Sequence, residues 1–277
     1  VRSLAGGAAR PRRTSTGAGV HIVIPCFNEA ERLPARALAG YVREEESAAL
    51  VFVNDGSTDG TDRVLEALRV ECGPEKVEVL NIGSNVGKAE AVRAGMRRCC
   101  ERGASYVGFW DADLATPLDE IGRMQAVLDE KPNVHMVFGA RVALMGREIE
   151  RKMIRHYMGR VFATLVSILL GLAVYDTQCG AKLFRVSPSL EDVLEDPFRT
   201  RWVFDVEMLA RYLCLHGARA VKGMVYELPL RKWVDVAGSK VRPWTVLRMA
   251  VELVRVWFVY FARKWPRMDH PQKQRQK

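Results

Sequence analysis

The chain has 277 residues, of which 48% are hydrophobic and 27% charged, and this composition excludes a disordered, collagen-like or coiled-coil protein. Its length fits one large α/β domain or two small ones. The net charge of +9 lies in the two ends: residues 1–19 carry four Arg and no acidic residue, residues 263–277 carry six Lys or Arg and one Asp, and the 243 residues between them carry 32 basic and 32 acidic residues. The ends suit an anionic surface, whereas the neutral middle does not suit a nucleic-acid-binding domain, so we predict no nucleic-acid partner.

Short apolar runs alternate with amphipathic stretches from residue 20 onwards. The apolar runs predict strands buried on both faces, at 21–25, 50–54, 77–81, 106–111 and 134–140. The amphipathic stretches between them predict helices, at about 30–46, 61–71, 87–101 and 117–129. This alternation, over residues 20–140, predicts an α/β fold with a mostly parallel sheet and helices on both faces.

A basic run at 141–160 leads into residues 161–175, which carry no charge. As a helix these fifteen residues span about 22 Å, which is less than the roughly 30 Å hydrocarbon core of a bilayer. Two alternatives follow for the region 149–175. It is either a buried core helix or a basic and apolar helix that lies at a membrane interface.

The stretch 241–265 predicts an amphipathic helix, because Arg248, Glu252 and Arg255 interrupt an aromatic and aliphatic sequence at helical spacing. These charges disfavour a membrane-spanning helix. Two alternatives again follow: a helix packed on the domain surface, or a helix lying on an anionic bilayer with the basic tail 266–277 behind it.

Other features concern loops and the cellular compartment. The segment 187–201 contains Pro188 and Pro197 and predicts a loop or lid. Residues 1–19 predict a disordered basic tail and lack the apolar run of a secretory signal peptide. The six Cys include no Cys-x-x-Cys pair, so we expect reduced thiols and no zinc site.

The strongest chemical signal is Asp111-Ala112-Asp113, which follows the predicted fourth strand. Alternate side chains of an extended chain share a face, so both carboxylates point the same way. Two such carboxylates repel each other unless a divalent cation or a basic group offsets the repulsion. Oxygen ligands of this kind suit Mg²⁺ or Mn²⁺, which typically bind through one or two carboxylates and diphosphate oxygens.

Two further polar clusters follow predicted strands. The run 54–61 places Asp55 at the end of the second strand, where its carboxylate could accept a hydrogen bond from a pyrimidine ring. The third helix opens with Lys88, which could meet a phosphate at the helix N-terminus. Neither a Walker loop nor a Gly-x-Gly-x-x-Gly motif is present. Because parallel sheets bind ligands beyond the carboxyl ends of their strands, we expect these clusters to form one site.

These motifs, in this order and spacing, resemble those of family 2 glycosyltransferases with the GT-A fold. The first half contributes the segments 23–29, 54–61, 85–88 and 111–113. The segments 176–184, 201–207 and 238–240 are similar to the dolichyl-phosphate β-glucosyltransferase group and its bacterial polyprenyl-phosphate relatives. The resemblance covers about residues 20–240 and includes most of the chain.

The resemblance implies roles for residues on the donor side of the site. Asp113 would bind the metal directly, and Asp111 would face the ribose or the metal. Lys88 would lie near the donor phosphates. The residues implied to hold the nucleotide are Pro25, Phe27, Glu29 and Asp55.

On the acceptor side, the resemblance implies that Arg141, with Arg151 or Arg155, holds the phosphates of donor and acceptor. Asp176 would lie beside the acceptor, where it either orients a substrate or acts as a base. The implied catalytic residues are thus Asp176, Asp113 and Arg141. The implied partners are a nucleotide sugar, a polyprenyl phosphate and the cytoplasmic face of a membrane, either a bacterial plasma membrane or the endoplasmic reticulum.

The implied reaction is inverting transfer of a hexose, glucose from UDP-glucose, to a polyprenyl or dolichyl phosphate. Two departures from the family pattern matter. Asn54 replaces the first residue of the usual Asp-Asp-Gly but leaves Asp55 intact, and Ala115 stands where mannose synthases usually have Gln. The alternatives are a mannosyltransferase using GDP-mannose, a family 2 enzyme with a soluble acceptor, and an inactive GT-A domain that serves as a scaffold.

Overall fold

The computed structural model describes residues 19–150, 153–234 and 243–262. The strands are β1 (Val20–Cys26), β2 (Ala48–Asn54), β3 (Val77–Asn81), β4 (Tyr106–Trp110), β5 (Met136–Ala140), β6 (Glu148–Glu150), β7 (Ala181–Arg185), β8 (Val225–Pro229) and β9 (Lys232–Val234). The helices are α1 (Ala35–Glu44), α2 (Thr61–Cys72), α3 (Lys88–Glu101), α4 (Glu120–Glu130), α5 (Met153–Leu170), α6 (Pro188–Glu195), α7 (Phe204–His216), α8 (Ala218–Met224) and α9 (Pro243–Trp257), which continues as a π-helical turn, Phe258–Ala262. The predicted basic tails and the segment 238–240 lie outside the described residues.

Seven strands form one sheet in the order β3-β2-β1-β4-β7-β5-β8. All neighbouring strands in this sheet are parallel except that β7 runs antiparallel to both β4 and β5. The predicted α/β fold with a mostly parallel sheet is therefore confirmed. The strand ends are aligned, since Cys26 of β1 pairs with Asn54 of β2 and Asn54 pairs with Asn81 of β3. β7 begins where β4 ends, with Ala181 opposite Trp110.

Alternation along the strands divides the core into two layers. Val23 and Val51 face one layer, whereas Ile22 and Leu50 face the other. The first layer is covered by α3, α5, α6, α7 and α9, and the second is covered by α1, α2 and α4. Because both faces are covered, the central strands are buried at nearly every position, as their mostly apolar sequences require.

The predicted loop at 187–201 is wrong over its first half, where α6 forms. Pro188 occupies the first turn of this helix, and the Ser187 hydroxyl accepts a hydrogen bond from the Leu190 amide at 3.3 Å. Proline lacks the amide hydrogen that would be unpaired at this position, so it favours a helix start. Of the predicted loop, the part after α6, residues 196–201, is irregular.

Both predicted apolar helices form, and each has one buried and one exposed face. In α5, Val166 and Leu170 are buried in the core, whereas the opposite face is exposed. The helix thus packs on the core with one face only, and its position at a membrane interface stays a prediction. The exposed apolar residues of α5 are Tyr157, Met158, Val161, Leu165 and Ile168. Those of α9 and its π-helical turn are Val251, Val254, Trp257 and Phe258. Within the described residues, no helix has the length and apolar character needed to cross a bilayer.

His21, buried on β1, makes folding stability depend on pH. Burial, together with the charge of Arg102, lowers the pKa of His21 from 6.5 to about 4. The unfolded chain therefore binds a proton below pH 6.5 that the folded chain takes up only near pH 4. As the pH falls from 6.5 to about 4, we expect His21 alone to lower the free energy of unfolding by up to about 3 kcal/mol.

This prediction is tested by urea denaturation of the wild type and His21→Gln at pH 7 and pH 4.5. The wild type should lose more stability than the variant, since glutamine does not titrate. Equal losses in the two proteins would contradict the role assigned to His21.

Candidate active site

The carboxyl ends of four strands place the predicted site residues at one edge of the sheet. Phe27 follows β1, Asp55 follows β2, Asp111 follows β4 and Arg141 follows β5. Because β7 runs in the opposite direction, it brings Gly180 to the same edge, where the Asp111 amide donates a hydrogen bond to the Gly180 carbonyl at 3.0 Å. The predicted meeting of the polar clusters thus follows from the sheet topology.

Hydrogen bonds connect the loops after β1 and β2. The Asn28 amide donates to the Ser57 hydroxyl at 3.0 Å, and the Thr58 amide donates to Asn28 Oδ1 at 2.9 Å. Asn28 adopts a left-handed conformation with φ 54°, which asparagine tolerates better than most residues. These contacts leave Phe27 partly exposed at the rim of the site.

The other two residues predicted to hold the nucleotide on this side lie next to the same loops. Pro25 lies near the end of β1, opposite Val53 of β2. Glu29 accepts a hydrogen bond from the Arg32 guanidinium at 2.6 Å. Pro25 and Glu29 therefore occupy the same edge of the sheet as Phe27.

Asp55 organises the next loop of the site. It is 2% exposed, and its two carboxylate oxygens accept hydrogen bonds from the amides of Val86 at 2.7 Å and Gly87 at 2.9 Å. Gly56 has φ 70°, and a Cβ there would lie 2.6 Å from backbone atoms of this loop. Asp55 and Gly56 thus fix the loop that leads into Lys88. A contact between Asp55 and a pyrimidine stays a prediction.

Lys88 and the two predicted metal ligands form a compact charged cluster. The Lys88 ammonium donates a short hydrogen bond to Asp111 Oδ1. Burial opposes the charge of Lys88, but the carboxylate of Asp111 outweighs it and raises the pKa of the lysine. Burial, together with the charge of Asp111, raises the pKa of Asp113. Lys88 thus places one positive charge directly beside this carboxylate pair.

The donor set of this cluster fits a divalent cation bound partly by its substrate. Among the described residues, no group of three or more His, Cys, Asp or Glu side chains is arranged to hold a metal ion. Mg²⁺ and similar ions nevertheless bind through one or two carboxylates when diphosphate oxygens supply further ligands. Asp111 and Asp113 meet that requirement. The Lys88 ammonium could then leave Asp111 and pair with a phosphate oxygen instead.

A second charged cluster lies after β5. The Arg141 guanidinium makes two parallel hydrogen bonds to Asp176, at 2.7 and 2.8 Å, and the Arg141 amide adds a third at 3.1 Å. Glu227 accepts hydrogen bonds from the amides of Tyr175 and Asp176, all at 2.8 Å. Burial disfavours the charge of Arg141, but the carboxylate of Asp176 outweighs this effect and raises the pKa of Arg141. Arg141 and Asp176 therefore act as one rigid ion pair.

A buried ion pair to which the sequence motifs give no role lies near the first cluster. Lys182 of β7 is fully buried, and its ammonium lies 3.0 Å from Asp205 Oδ1 at the start of α7. The charges of Lys88 and Asp111 also act on Asp205. The signal available in the sequence was Lys182 within the otherwise apolar residues 181–184.

The structure describes little of the two arginines predicted to attract the acceptor. Arg151 lies outside the described residues, and Arg155 lies in α5, with its side chain outside the described part. The role of both residues therefore stays a prediction.

The sequence matches known glycosyltransferases over most of its length. The model of the family Glycosyl transferase family 2 matches residues 21–191. A dolichyl-phosphate beta-glucosyltransferase of Drosophila melanogaster is 32% identical over 260 residues, which cover 88% of this chain and 76% of that protein. The human protein of the same name is 29% identical over 258 residues, covering 88% and 76%.

Solved structures with low sequence identity share the fold. Glucosyl-3-phosphoglycerate synthase from Mycobacterium tuberculosis, solved with UDP, superposes with a TM-score of 0.59 at 17% identity, over 91% of this chain and 85% of that one. Its complex with Mn²⁺, UDP and glucosyl-3-phosphoglycerate gives a TM-score of 0.58 at 15% identity, over the same shares of the two chains. The family resemblance and the GT-A fold predicted from the motifs are confirmed, and this chain belongs to glycosyltransferase family 2.

Proposed function

We propose that the protein transfers glucose, with inversion at the anomeric carbon, from UDP-glucose to a polyprenyl phosphate such as dolichyl phosphate. The observation that carries the proposal is the arrangement of two charged clusters at one sheet edge: Lys88 with Asp111, and Arg141 with Asp176. The first suits a donor diphosphate and the second suits an anionic acceptor. The similarity to dolichyl-phosphate beta-glucosyltransferases supports the choice of sugar and lipid.

On the donor side, the nucleotide would lie over the loops after β1 and β2. Asp113 and Asp111 would hold Mg²⁺ or Mn²⁺, which would neutralise charge on the leaving diphosphate. The Lys88 ammonium, already beside Asp111, would move the short distance to a diphosphate oxygen. The residues proposed to contact the nucleotide are Pro25, Phe27, Glu29 and Asp55.

On the acceptor side, Arg141 would hold the lipid phosphate, with Arg151 and Arg155 attracting it to the site. A phosphate oxygen is anionic at pH 7, so the nucleophile needs no strong general base. Both oxygens of Asp176 accept hydrogen bonds from Arg141. This pairing favours an orienting role for Asp176 over a role as the base.

In the proposed step, a non-bridging oxygen of the lipid phosphate forms a bond to the anomeric carbon from the face opposite UDP. The bond between that carbon and the diphosphate oxygen breaks, and its electron pair leaves with UDP. No proton transfer is required for the balance. Lys88 and Arg141 stabilise the developing and incoming negative charges by being in place before the reaction.

The donor and acceptor are tested together with purified full-length protein and Mn²⁺. We expect lipid-extractable product from labelled UDP-glucose and a short polyprenyl phosphate. GDP-mannose should give little product, and a soluble acceptor such as 3-phosphoglycerate should give none. Transfer only from GDP-mannose, or only to the soluble acceptor, would contradict the proposal.

We propose that the exposed faces of α5 and α9 bind the cytoplasmic surface of a membrane peripherally. Both helices pack against α7, and each presents an apolar stripe at helical spacing, with Ile168 76% exposed and Val254 65% exposed. Burying one such side chain in lipid is worth roughly 1.5–3 kcal/mol. This attachment would bring the site to its lipid acceptor.

We therefore expect Ile168→Glu and Val254→Glu each to weaken sedimentation with phosphatidylglycerol-containing vesicles about 10-fold or more. Val70→Glu is the matched control, since Val70 is 74% exposed on α2, away from both stripes. Equal loss in the control, or no loss in either test variant, would contradict the assignment of these faces.

A further inference from the structure

The segment between α6 and α7 is held by two glutamates rather than by a strand or helix. Glu207 of α7 accepts hydrogen bonds from the amides of Arg199 and Thr200, both at 2.9 Å. Glu252 of α9 accepts the next three in the chain, from Arg201 at 3.2 Å, Trp202 at 2.9 Å and Val203 at 3.1 Å. Five consecutive backbone donors are thus bound by two carboxylates, one of which belongs to the C-terminal helix.

Glu252 is the acidic residue of α9, and the proposed membrane face does not account for it. Its neighbour Leu253 is buried against the core, while Val251 and Val254 are exposed. A carboxylate that accepts three amide hydrogen bonds at the start of a helix is favourably placed, because amide donors and the helix dipole both stabilise its charge. α9 is therefore attached to the beginning of α7 by a specific contact in addition to apolar packing.

This contact fixes Arg201 beside the donor side of the site. The Arg201 guanidinium donates to Asn85 Oδ1 at 3.2 Å. It packs so closely on Gly87 that a Cβ there would lie 2.7 Å from Arg201 Nε. The loop it covers is the one that Asp55 binds and that ends at Lys88. Arg201 is exposed and contacts Gly87, the residue before Lys88, so its guanidinium lies close to the residue proposed to contact the donor diphosphate.

We propose that Glu252 is a positioning residue of the donor site, which holds Arg201 in place as a further ligand of the donor diphosphate. The inference rests on the proposed function, because the ligand of Arg201 is the diphosphate of the nucleotide sugar. Because residues 201–203 are already fixed by Glu252, Arg201 loses less conformational freedom when it binds the diphosphate, and this favours binding. The C-terminal helix, whose outer face is assigned to the membrane, thereby forms part of the nucleotide pocket.

The test is a double-mutant cycle on UDP binding, measured by calorimetry with full-length protein and Mn²⁺. We expect Glu252→Ala and Arg201→Ala each to weaken UDP binding about 10-fold, and the double variant to lose no more than the larger single loss, because Glu252 acts through Arg201. In turnover assays, Glu252→Ala should raise the KM for the nucleotide sugar but leave the KM for polyprenyl phosphate unchanged. Glu130→Ala, which removes an exposed glutamate from α4, is the control and should bind UDP like the wild type.

Multiplicative losses in the double variant, or wild-type affinity in Glu252→Ala, would overturn the positioning role. If Glu252→Ala does not melt cooperatively, Glu252→Gln replaces it in the same cycle, with the same outcomes. Failure of the wild type itself to bind UDP would overturn the proposed function instead, so the two proposals fail separately.

Discussion

We expect Asp113→Asn to lower kcat/KM by about 10³-fold or more, equivalent to about 4 kcal/mol of transition-state stabilisation. The variant loses the charge that would hold the metal against the departing diphosphate. It keeps the shape of the side chain and the oxygen that accepts a hydrogen bond from the Ala115 amide at 3.1 Å. The fold should therefore be unchanged. Steady-state kinetics measures the loss, and paramagnetic resonance of free Mn²⁺ in the presence of UDP measures the weaker uptake of the ion.

Asp119→Asn is the matched control. Asp119 is exposed at the beginning of α4, where its side chain makes no capping hydrogen bond. This substitution removes the same charge six residues further along the chain and should leave both turnover and Mn²⁺ uptake unchanged. Turnover of Asp113→Asn at the wild-type rate would refute the metal role of Asp113.

We expect Gly180→Ala to lower kcat/KM by about 10²-fold with little effect on stability. A Cβ at this position would lie 1.8 Å from Asp111 Oδ2, so the carboxylate has to rotate away from Lys88. Asp111 is 40% exposed, and its side chain can move towards solvent without disturbing the core. The substitution should therefore lower kcat/KM and the affinity for Mn²⁺, which kinetics and Mn²⁺ titration measure. The melting temperature should stay nearly the same.

Gly122→Ala serves as the control for this substitution. Gly122 lies within α4, and a Cβ there meets no atom within 4 Å. Alanine favours a helix more than glycine does, so the control should gain about 0.5–1 kcal/mol of stability and retain full activity. Activity of Gly180→Ala equal to that of Gly122→Ala would show that the position of Asp111 does not matter for transfer.

The parallel half of the fold was predictable because its signals are local. A strand buried on both faces has an uninterrupted apolar sequence, and the polar residue that follows it, such as Asp55 or Asp111, marks its carboxyl end. Strand ends that meet at one edge of a parallel sheet follow from topology. The pocket could therefore be inferred before any distance was known.

The second half was not predictable in this way, because its contacts connect residues far apart in the chain. β7 is five residues long and contains Lys182, whose burial is acceptable only beside Asp205. Helix packing determines two further contacts. These are the ion pair of Arg141 with Asp176 and the hydrogen bonds from the amides of residues 201–203 to Glu252. A charged residue of this kind appears in the sequence as a surface position until its partner is located.

The insertion of β7 between β4 and β5 has a consequence for synthesis on the ribosome. Strands β1 to β4 can pair as soon as they emerge, but β4 then has an unpaired edge until residues 181–185 have been translated. At about 5–20 residues per second, the nascent chain spends several seconds with this apolar edge open to wrong partners. The Asp111 amide also gains its hydrogen bond to the Gly180 carbonyl only when β7 pairs with β4. The proposed metal site would therefore be completed late, when most of the chain has already been made.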